Sequence, residues 1–110
     1  MADCIFCKIA TKQLPTDLIY EDEHAVVFKD IRPKADTHLL IVSKQHIPSL
    51  AHASADQGPL LSHLLLLLPK IAQQVGLKEG FRTILNTGKG GGQEIDHIHF
   101  HLLSGHLHSM

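Results

Sequence analysis

Apolar and polar positions along this chain follow two different periods. Residues 17–21 and 24–30 are short apolar-rich runs separated by the acidic turn Glu21-Asp22-Glu23, which predicts two strands joined by a hairpin. Pro33 places residues 31–36 in a loop, and the β-branched run over residues 37–43 predicts a central strand. Residues 81–87 predict a further strand. Residues 97–103, alternating polar and apolar as far as Leu102, predict the last one. Upstream, residues 5–11 read as a short helix with Asp3 placed as its cap, ended by Pro15.

The helical period belongs to the middle of the chain. Ser54-Ala-Asp-Gln57 has the form of a capping box, and the helix it opens is expected to run to about Val75, with Gly76 as its C-cap. Pro69 should kink or break it, because proline removes a backbone donor and crowds the preceding turn. Leucine occurs almost all round this helix, and a helix apolar on every side must be buried on every side. One sheet in so small a domain covers one face, so the other face predicts a homodimer. The order of a short helix, three strands, a long helix and two strands implies an α+β fold. Its centre is a mostly antiparallel five-stranded sheet with one long and one short helix. With no repeat, linker or composition break, residues 1–110 form a single domain.

Composition narrows the function classes. Lys+Arg number 10 and Asp+Glu 11, a net charge of −1, which gives no electrostatic basis for binding nucleic acid or an anionic membrane surface. No apolar run approaches the roughly 20 residues needed to cross a bilayer. The N-terminus lacks the basic and apolar regions of a signal peptide, and two cysteines fit a reducing cytoplasm better than a secreted disulfide framework. Ten histidines are the unusual feature, since imidazole titrates near neutrality, binds metals and moves protons.

Three of the ten stand in His97-Ile-His99-Phe-His101. On a strand these imidazoles share one face, with Ile98, Phe100 and Leu102 on the other. A structural strand has little reason to line up three partly desolvated imidazoles, so polar filler is the weaker explanation. A metal site is the better rival, because imidazole is a common zinc ligand. The preceding loop, Gly88-Lys-Gly-Gly-Gly-Gln93, shifts the balance towards phosphate: successive glycines let backbone N–H groups converge on an anion, and Lys89 adds a charge. A flexible turn explains a glycine run taken alone. No Walker A loop is present, since no Ser or Thr follows Gly-Lys and a strand follows where a helix is required.

The segment from Asn86 through Gln93-Glu-Ile-Asp-His97-Ile-His99-Phe-His101-Leu-Leu resembles the signature of the histidine triad (HIT) family, His-φ-His-φ-His-φ-φ with φ apolar. The blocks Asp3-Cys-Ile-Phe-Cys-Lys-Ile9, Phe28-Lys-Asp30-Ile-Arg-Pro33 and Thr37-His38-Leu-Leu-Ile-Val-Ser-Lys-Gln-His46-Ile are similar to other family blocks, so the resemblance spans nearly the whole chain. It is to the Hint branch, which hydrolyses purine nucleoside phosphoramidates and aminoacyl adenylates. The resemblance implies that His99 attacks the α-phosphorus and forms a covalent nucleotidyl-histidine, which water resolves to a nucleoside monophosphate. His97, His101 and His38 complete the catalytic set. The same resemblance implies that Asn86, Gly92, Gln93 and Glu94 lie at the phosphate with His99 and His101. Asp30 accepts from the ribose, and Ile5, Phe6, Phe28, Ile31 and Leu40 sandwich the base. Without the family, each of these apolar residues reads equally well as plain core.

Cys4-x-x-Cys7 is half of a zinc site by spacing, or two buried thiols; a thioredoxin-like role lacks its βαβ unit. The resemblance supplies the other half, His46 and His97, implying a closed structural Zn²⁺ site that the chemistry itself does not require. His24, His52, His63, His106 and His108 read as surface or helix-face residues. Glu94 departs from the pattern, because Hint proteins often carry a serine or threonine there to assist the leaving group, and a carboxylate repels a bound phosphate unless it points away. Asp96 raises the same question. Three other readings stay open: cleavage of dinucleoside polyphosphates, a nucleotide-binding module without turnover, and a metal-binding regulator using Cys4, Cys7 and the histidines.

Overall fold

A computed structural model describes residues 4–107; Asp3 and His108, both singled out above, lie outside the described residues. Five strands form one sheet in the order β1-β2-β3-β5-β4, and every pairing is antiparallel. β1 spans Leu18–Glu21, β2 Ala25–Lys29, β3 Ala35–Ser43, β4 Arg82–Ile84 and β5 His99–Leu107. Helix α1 (Ile5–Ala10) lies on one face and α2 (Gly58–Gln74) on the other.

The period of two divides the core. Val27, Leu39, Ile41, Phe100 and Leu102 face α2 and pack on Leu64, Leu67, Leu68, Ile71 and Ala72, an i, i+3, i+4, i+7, i+8 stripe. Val26, Phe28, Leu40 and Val42 face the opposite way and meet Phe6, Ile9 and Ala10 of α1. Each buried leucine of the stripe contributes roughly 1.5–3 kcal/mol relative to exposure. Register then carries the histidines onto the α1 face: His101 sits opposite Leu40, itself opposite Phe28, and His99 sits opposite Val42.

Several elements differ from expectation. Cys4, not Asp3, is the N-cap of α1, its sulfur accepting from the Cys7 N–H at 3.4 Å. The Ser54–Gln57 box forms, with the Ser54 N–H donating to Gln57 Oε1 at 2.9 Å, but it opens a 3₁₀ turn (Ala55–Gln57) before α2 begins. Further 3₁₀ turns occur at Leu50–His52 and Lys89–Gly91. α2 runs through Pro69 unbroken. The carbonyl deprived of its donor belongs to Leu65, on the half-exposed side of the helix, where water can replace the missing N–H. Gly76, at φ +81°, ends α2 as expected: its N–H reaches the Gln73 carbonyl and the Leu77 N–H reaches Ala72, a Schellman closure.

Burial of the leucines is one-sided within this chain. Leu65 and Leu66 remain 49% and 66% exposed, so the all-round burial expected of the helix is not met by the protomer. β3 starts at Ala35, inside the segment expected to be loop, and β5 runs to Leu107, because Ala35 pairs with Leu107 and Thr37 with Ser104. A bulge at Asp36 lets its carboxylate accept the His106 N–H at 2.8 Å, over Gly105 at φ +85°. A Cβ on Gly105 would stand 2.7 Å from that carboxylate, which is why glycine is needed there. No helix among the described residues is long and apolar enough to cross a membrane.

Candidate active site

His97 precedes β5 rather than standing on it, and this changes what it does. Its side chain is fully buried and turned away from the cleft expected to hold all three imidazoles. Its Nε2–H donates to the Ser43 carbonyl at 2.7 Å, which leaves Nδ1 as a lone pair. That lone pair faces Cys4 Sγ at 3.2 Å, His46 Nδ1 at 3.1 Å and Cys7 Sγ at 3.6 Å, while Cys7 Sγ lies 3.3 Å from His46 Nδ1. A tetrahedral zinc with Zn–S of about 2.3 Å and Zn–N of about 2.0–2.1 Å has S···N and N···N edges of roughly 3.3–3.6 Å. The four donor atoms, all within 4.8 Å of one another, fit such an ion.

The main chain of His97 acts on the next imidazole. Its carbonyl accepts from His99 Nδ1–H at 2.6 Å, so the His99 proton sits on Nδ1 and the Nε2 lone pair is available. The Phe6 ring packs edge-on against His99 at 5.0 Å between centroids. Burial holds His99 below the usual imidazole range, against the His97 carbonyl and the charges of Asp30 and Glu94. A neutral, oriented imidazole near pH 7 results.

A second relay sets His101. The Lys34 N–H donates to His38 Nδ1 at 3.1 Å, so buried His38 carries its proton on Nε2 and passes it towards His101 Nδ1 at 2.9 Å. His101 therefore presents Nε2–H, a donor, next to the lone pair of His99, the rings being 5.0 Å apart. A bare imidazole lone pair and an N–H donor thus stand side by side. Asp30 lies at the edge: Oδ2 is 3.5 Å from His38 Nε2, and Oδ1 accepts the Arg32 N–H at 2.8 Å.

The other expected residues divide. Phe6, Phe28 and Leu40 are buried on this face, whereas Ile5 is half-exposed and Ile31 is 92% exposed. The glycine loop is closed on itself: Gly91 and Gln93 N–H groups donate to the Gly88 carbonyl and the Gly92 N–H to Lys89, so these donors do not converge on an anion. Asn86 Nδ2 donates to the Gly91 carbonyl at 2.8 Å. The Gln93 side chain is structural, accepting from the Gly88 N–H and donating to the carbonyls of Pro48 and Ile95. Glu94 is exposed beside the site, as is Asp96. Lys34 and Ser43 were missed by sequence reasoning because they act through the backbone, where side-chain identity carries no signal.

A separate surface cleft of about 530 Å³ is lined by His24, Lys44, Gln57 and His63 among others. It lies away from the imidazole relay. His63 there is tied to Asp22 Oδ2 at 2.6 Å, which also accepts from the Tyr20 hydroxyl, so this histidine pins α2 to the β1–β2 hairpin.

A family model described as scavenger mRNA decapping enzyme C-term binding matches residues 3–110. The chain is 52% identical to Protein HitA of Neisseria gonorrhoeae over 103 residues, covering 94% of this chain and 96% of the relative. It is 42% identical to the purine nucleoside phosphoramidase of Escherichia coli strain K12 over 104 residues, 94% of this chain and 87% of that one. The crystal structure of a HIT family hydrolase from Legionella pneumophila superposes with a TM-score of 0.91 at 46% identity, covering 94% of each chain.

The relay has a consequence for stability. Burial first, then the neighbouring His99 and His38, pushes His101 from 6.5 down to about 4. The folded state therefore refuses a proton that the unfolded chain accepts, and stability is lost as pH falls from about 6.5 towards 4. Near pH 5, unfolding of His101→Gln should take up about one proton fewer than wild type, read from the pH dependence of urea unfolding. Equal proton uptake in the two proteins would show that His101 is not held neutral by the fold.

Proposed function

The chain belongs to the histidine triad family of hydrolases, and from that premise we propose that it cleaves purine nucleoside 5′-phosphoramidates or related aminoacyl adenylates through a nucleotidyl-His99 intermediate. The observation that supports this most is the pair of opposed tautomers, a lone pair on His99 Nε2 beside a donor on His101 Nε2. His99 Nε2 attacks phosphorus while its Nδ1–H stays on the His97 carbonyl, which stabilises the imidazolium as it forms. The P–N bond breaks and the amine leaves with a proton drawn from water. His101 and, through it, His38 offset charge on the phosphoryl oxygens. Water then attacks phosphorus, the N–P bond breaks, and nucleoside monophosphate leaves as the water's proton passes to solvent.

Asp30 would accept from the ribose hydroxyls, and Phe6, Phe28 and Leu40, with Ile5 and Ile31 at the rim, would hold the base. Hydrolysis of adenosine 5′-phosphoramidate tests the reading. His99→Ala should lose at least about 10³-fold in kcat/KM, and wild type denatured rapidly at alkaline pH during turnover should carry an adenylyl group on His99. A mutant rate within tenfold of wild type would place the nucleophile elsewhere. A folded wild type that binds AMP and releases none from substrate would leave a binding module. Comparable or better turnover of dinucleoside polyphosphates would reassign the substrate.

Cys4, Cys7, His46 and His97 are proposed to hold a structural Zn²⁺, with the thiols kept reduced in the cytoplasm. The ion would cross-link α1 to the segment before β5 and supply no reaction chemistry, since protein fills all four positions. Purified wild type should contain stoichiometric zinc by elemental analysis, and Cys4→Ser should lose it with a lower Tm. Metal-free wild type whose Tm ignores chelator would reject the site.

A second copy of the chain is the proposed cover for Leu65 and Leu66, making a homodimer. Replacing both with serine should shift the sedimentation of a dimer to that of a monomer. A wild type that sediments as a monomer at micromolar concentration would remove this proposal.

A further inference from the structure

The carbonyl that fixes the His99 tautomer belongs to the peptide group joining His97 to Ile98, so the orientation of that one plane decides where the Nε2 lone pair points. Both polar ends of the plane are engaged. Its carbonyl accepts His99 Nδ1–H at 2.6 Å, and its N–H, contributed by Ile98, donates to the Ile47 carbonyl at 2.7 Å. Just upstream, the His97 N–H donates to the Ile95 carbonyl at 2.8 Å, closing a three-residue turn over exposed Asp96. The plane is therefore hung between the segment after β3, at Ile47, and the turn at Ile95.

One side chain spans those two supports. The Gln93 amide is buried, and its nitrogen donates to the Pro48 carbonyl at 2.7 Å and to the Ile95 carbonyl at 2.8 Å, while Oε1 accepts the Gly88 N–H at 2.8 Å. Pro48 directly follows Ile47, and Ile95 is the residue on which His97 turns. A planar amide holds its two N–H donors at a fixed angle, so this fork sets how far apart the supports of the His97–Ile98 peptide stand. With both hydrogens spent on main-chain carbonyls, the amide has none left for a phosphate. Chemistry at phosphorus tolerates little error here, since misplacing a reacting group by about 1 Å costs on the order of 10²-fold.

We propose that Gln93 is a positioning residue for the nucleophile: its amide fork holds the His97–Ile98 peptide so that His99 keeps its proton on Nδ1 and its lone pair on Nε2. This assignment rests on the hydrolase reading, in which His99 Nε2 attacks phosphorus. Gln93 acts through main-chain groups rather than on the reacting atoms.

Two near-isosteric variants separate the parts of the amide. Q93E keeps an acceptor for the Gly88 N–H but lacks the paired donors, and Q93M removes all three hydrogen bonds. On adenosine 5′-phosphoramidate both should lose roughly 10- to 100-fold in kcat, with KM within about threefold of wild type. Imidazole nitrogen shifts in NMR spectra report the tautomer. The His99 signals should move from the Nδ1–H form in wild type to a mixture of both forms in either variant. A residue that only closed the glycine loop would leave those signals, and the kcat of Q93E, as in wild type.

Wild-type kcat in either variant overturns the proposal, as does a lowered kcat with the His99 tautomer unchanged. A KM that rises by more than kcat falls would put the amide on the substrate and overturns it equally. Should neither variant fold, wild type decides: the Gln93 side-chain N–H groups should exchange with solvent far more slowly than those of exposed Gln13 and Gln73, and equal exchange sinks the proposal. A wild type that hydrolyses no phosphoramidate removes the hydrolase reading, while the imidazole signals of the variants still tell whether Gln93 sets the His99 tautomer.

Discussion

The hydrogen bond from His99 Nδ1–H to the His97 carbonyl is the interaction on which the site depends. Imidazole has two interchangeable nitrogens, and chemistry at phosphorus needs one of them bare at a known place. A carbonyl can only accept, so it forces the proton onto the nitrogen facing it. The same logic is used twice more, at the Ser43 carbonyl for His97 and, with the sign reversed, at the Lys34 N–H for His38. Three main-chain groups thereby set the protonation pattern of four histidines, with the Asp30 carboxylate at the edge, 3.5 Å from His38 Nε2.

Main-chain control is only as good as the sheet that positions it. Val26, Val42 and His99 form one row across β2, β3 and β5, and Phe28, Leu40 and His101 form the next. Apolar neighbours on the same face desolvate the imidazoles, and α1 closes over them with Phe6. That burial is the largest cause of the lowered basicity of His97, His99 and His101, and it keeps them neutral where a nucleophile must be neutral. The opposite face, packed on α2, supplies rigidity and contributes no group to the relay.

Much of this was legible in the chain. The alternation that put Phe100 and Leu102 in the core and His99 and His101 opposite follows from strand periodicity, and Gly76 ended α2 because a left-handed residue is needed there. What escaped was carried by backbone. His97 left the strand because its N–H turned to the Ile95 carbonyl, and no side-chain pattern announces that turn. The glycine loop folded on its own carbonyls, so the amides of Gly91, Gly92 and Gln93 are spent although the composition was right for an anion cradle. Leu65 and Leu66 stayed exposed because a helix can be apolar all round while one protomer covers only one side.

Tautomers also distinguish two clusters that ligand counting alone would treat alike. Asp30, His38 and His101 bring donor atoms within 4.8 Å of one another, as do Cys4, Cys7, His46 and His97. At the second cluster, Ser43 takes the His97 Nε2 proton and leaves a lone pair pointing at the sulfurs, the state a metal requires. At the first, Lys34 donates to His38 Nδ1, so His38 Nε2 must keep its proton and has no lone pair to give. Coordination there would cost the Lys34 hydrogen bond or demand an imidazolate. An anion demands neither, because it takes the N–H that the relay has already placed on His101. One face of one sheet thus presents a lone-pair cluster suited to a cation and a donor cluster suited to a phosphate. The direction of a single backbone group at each decides which is which.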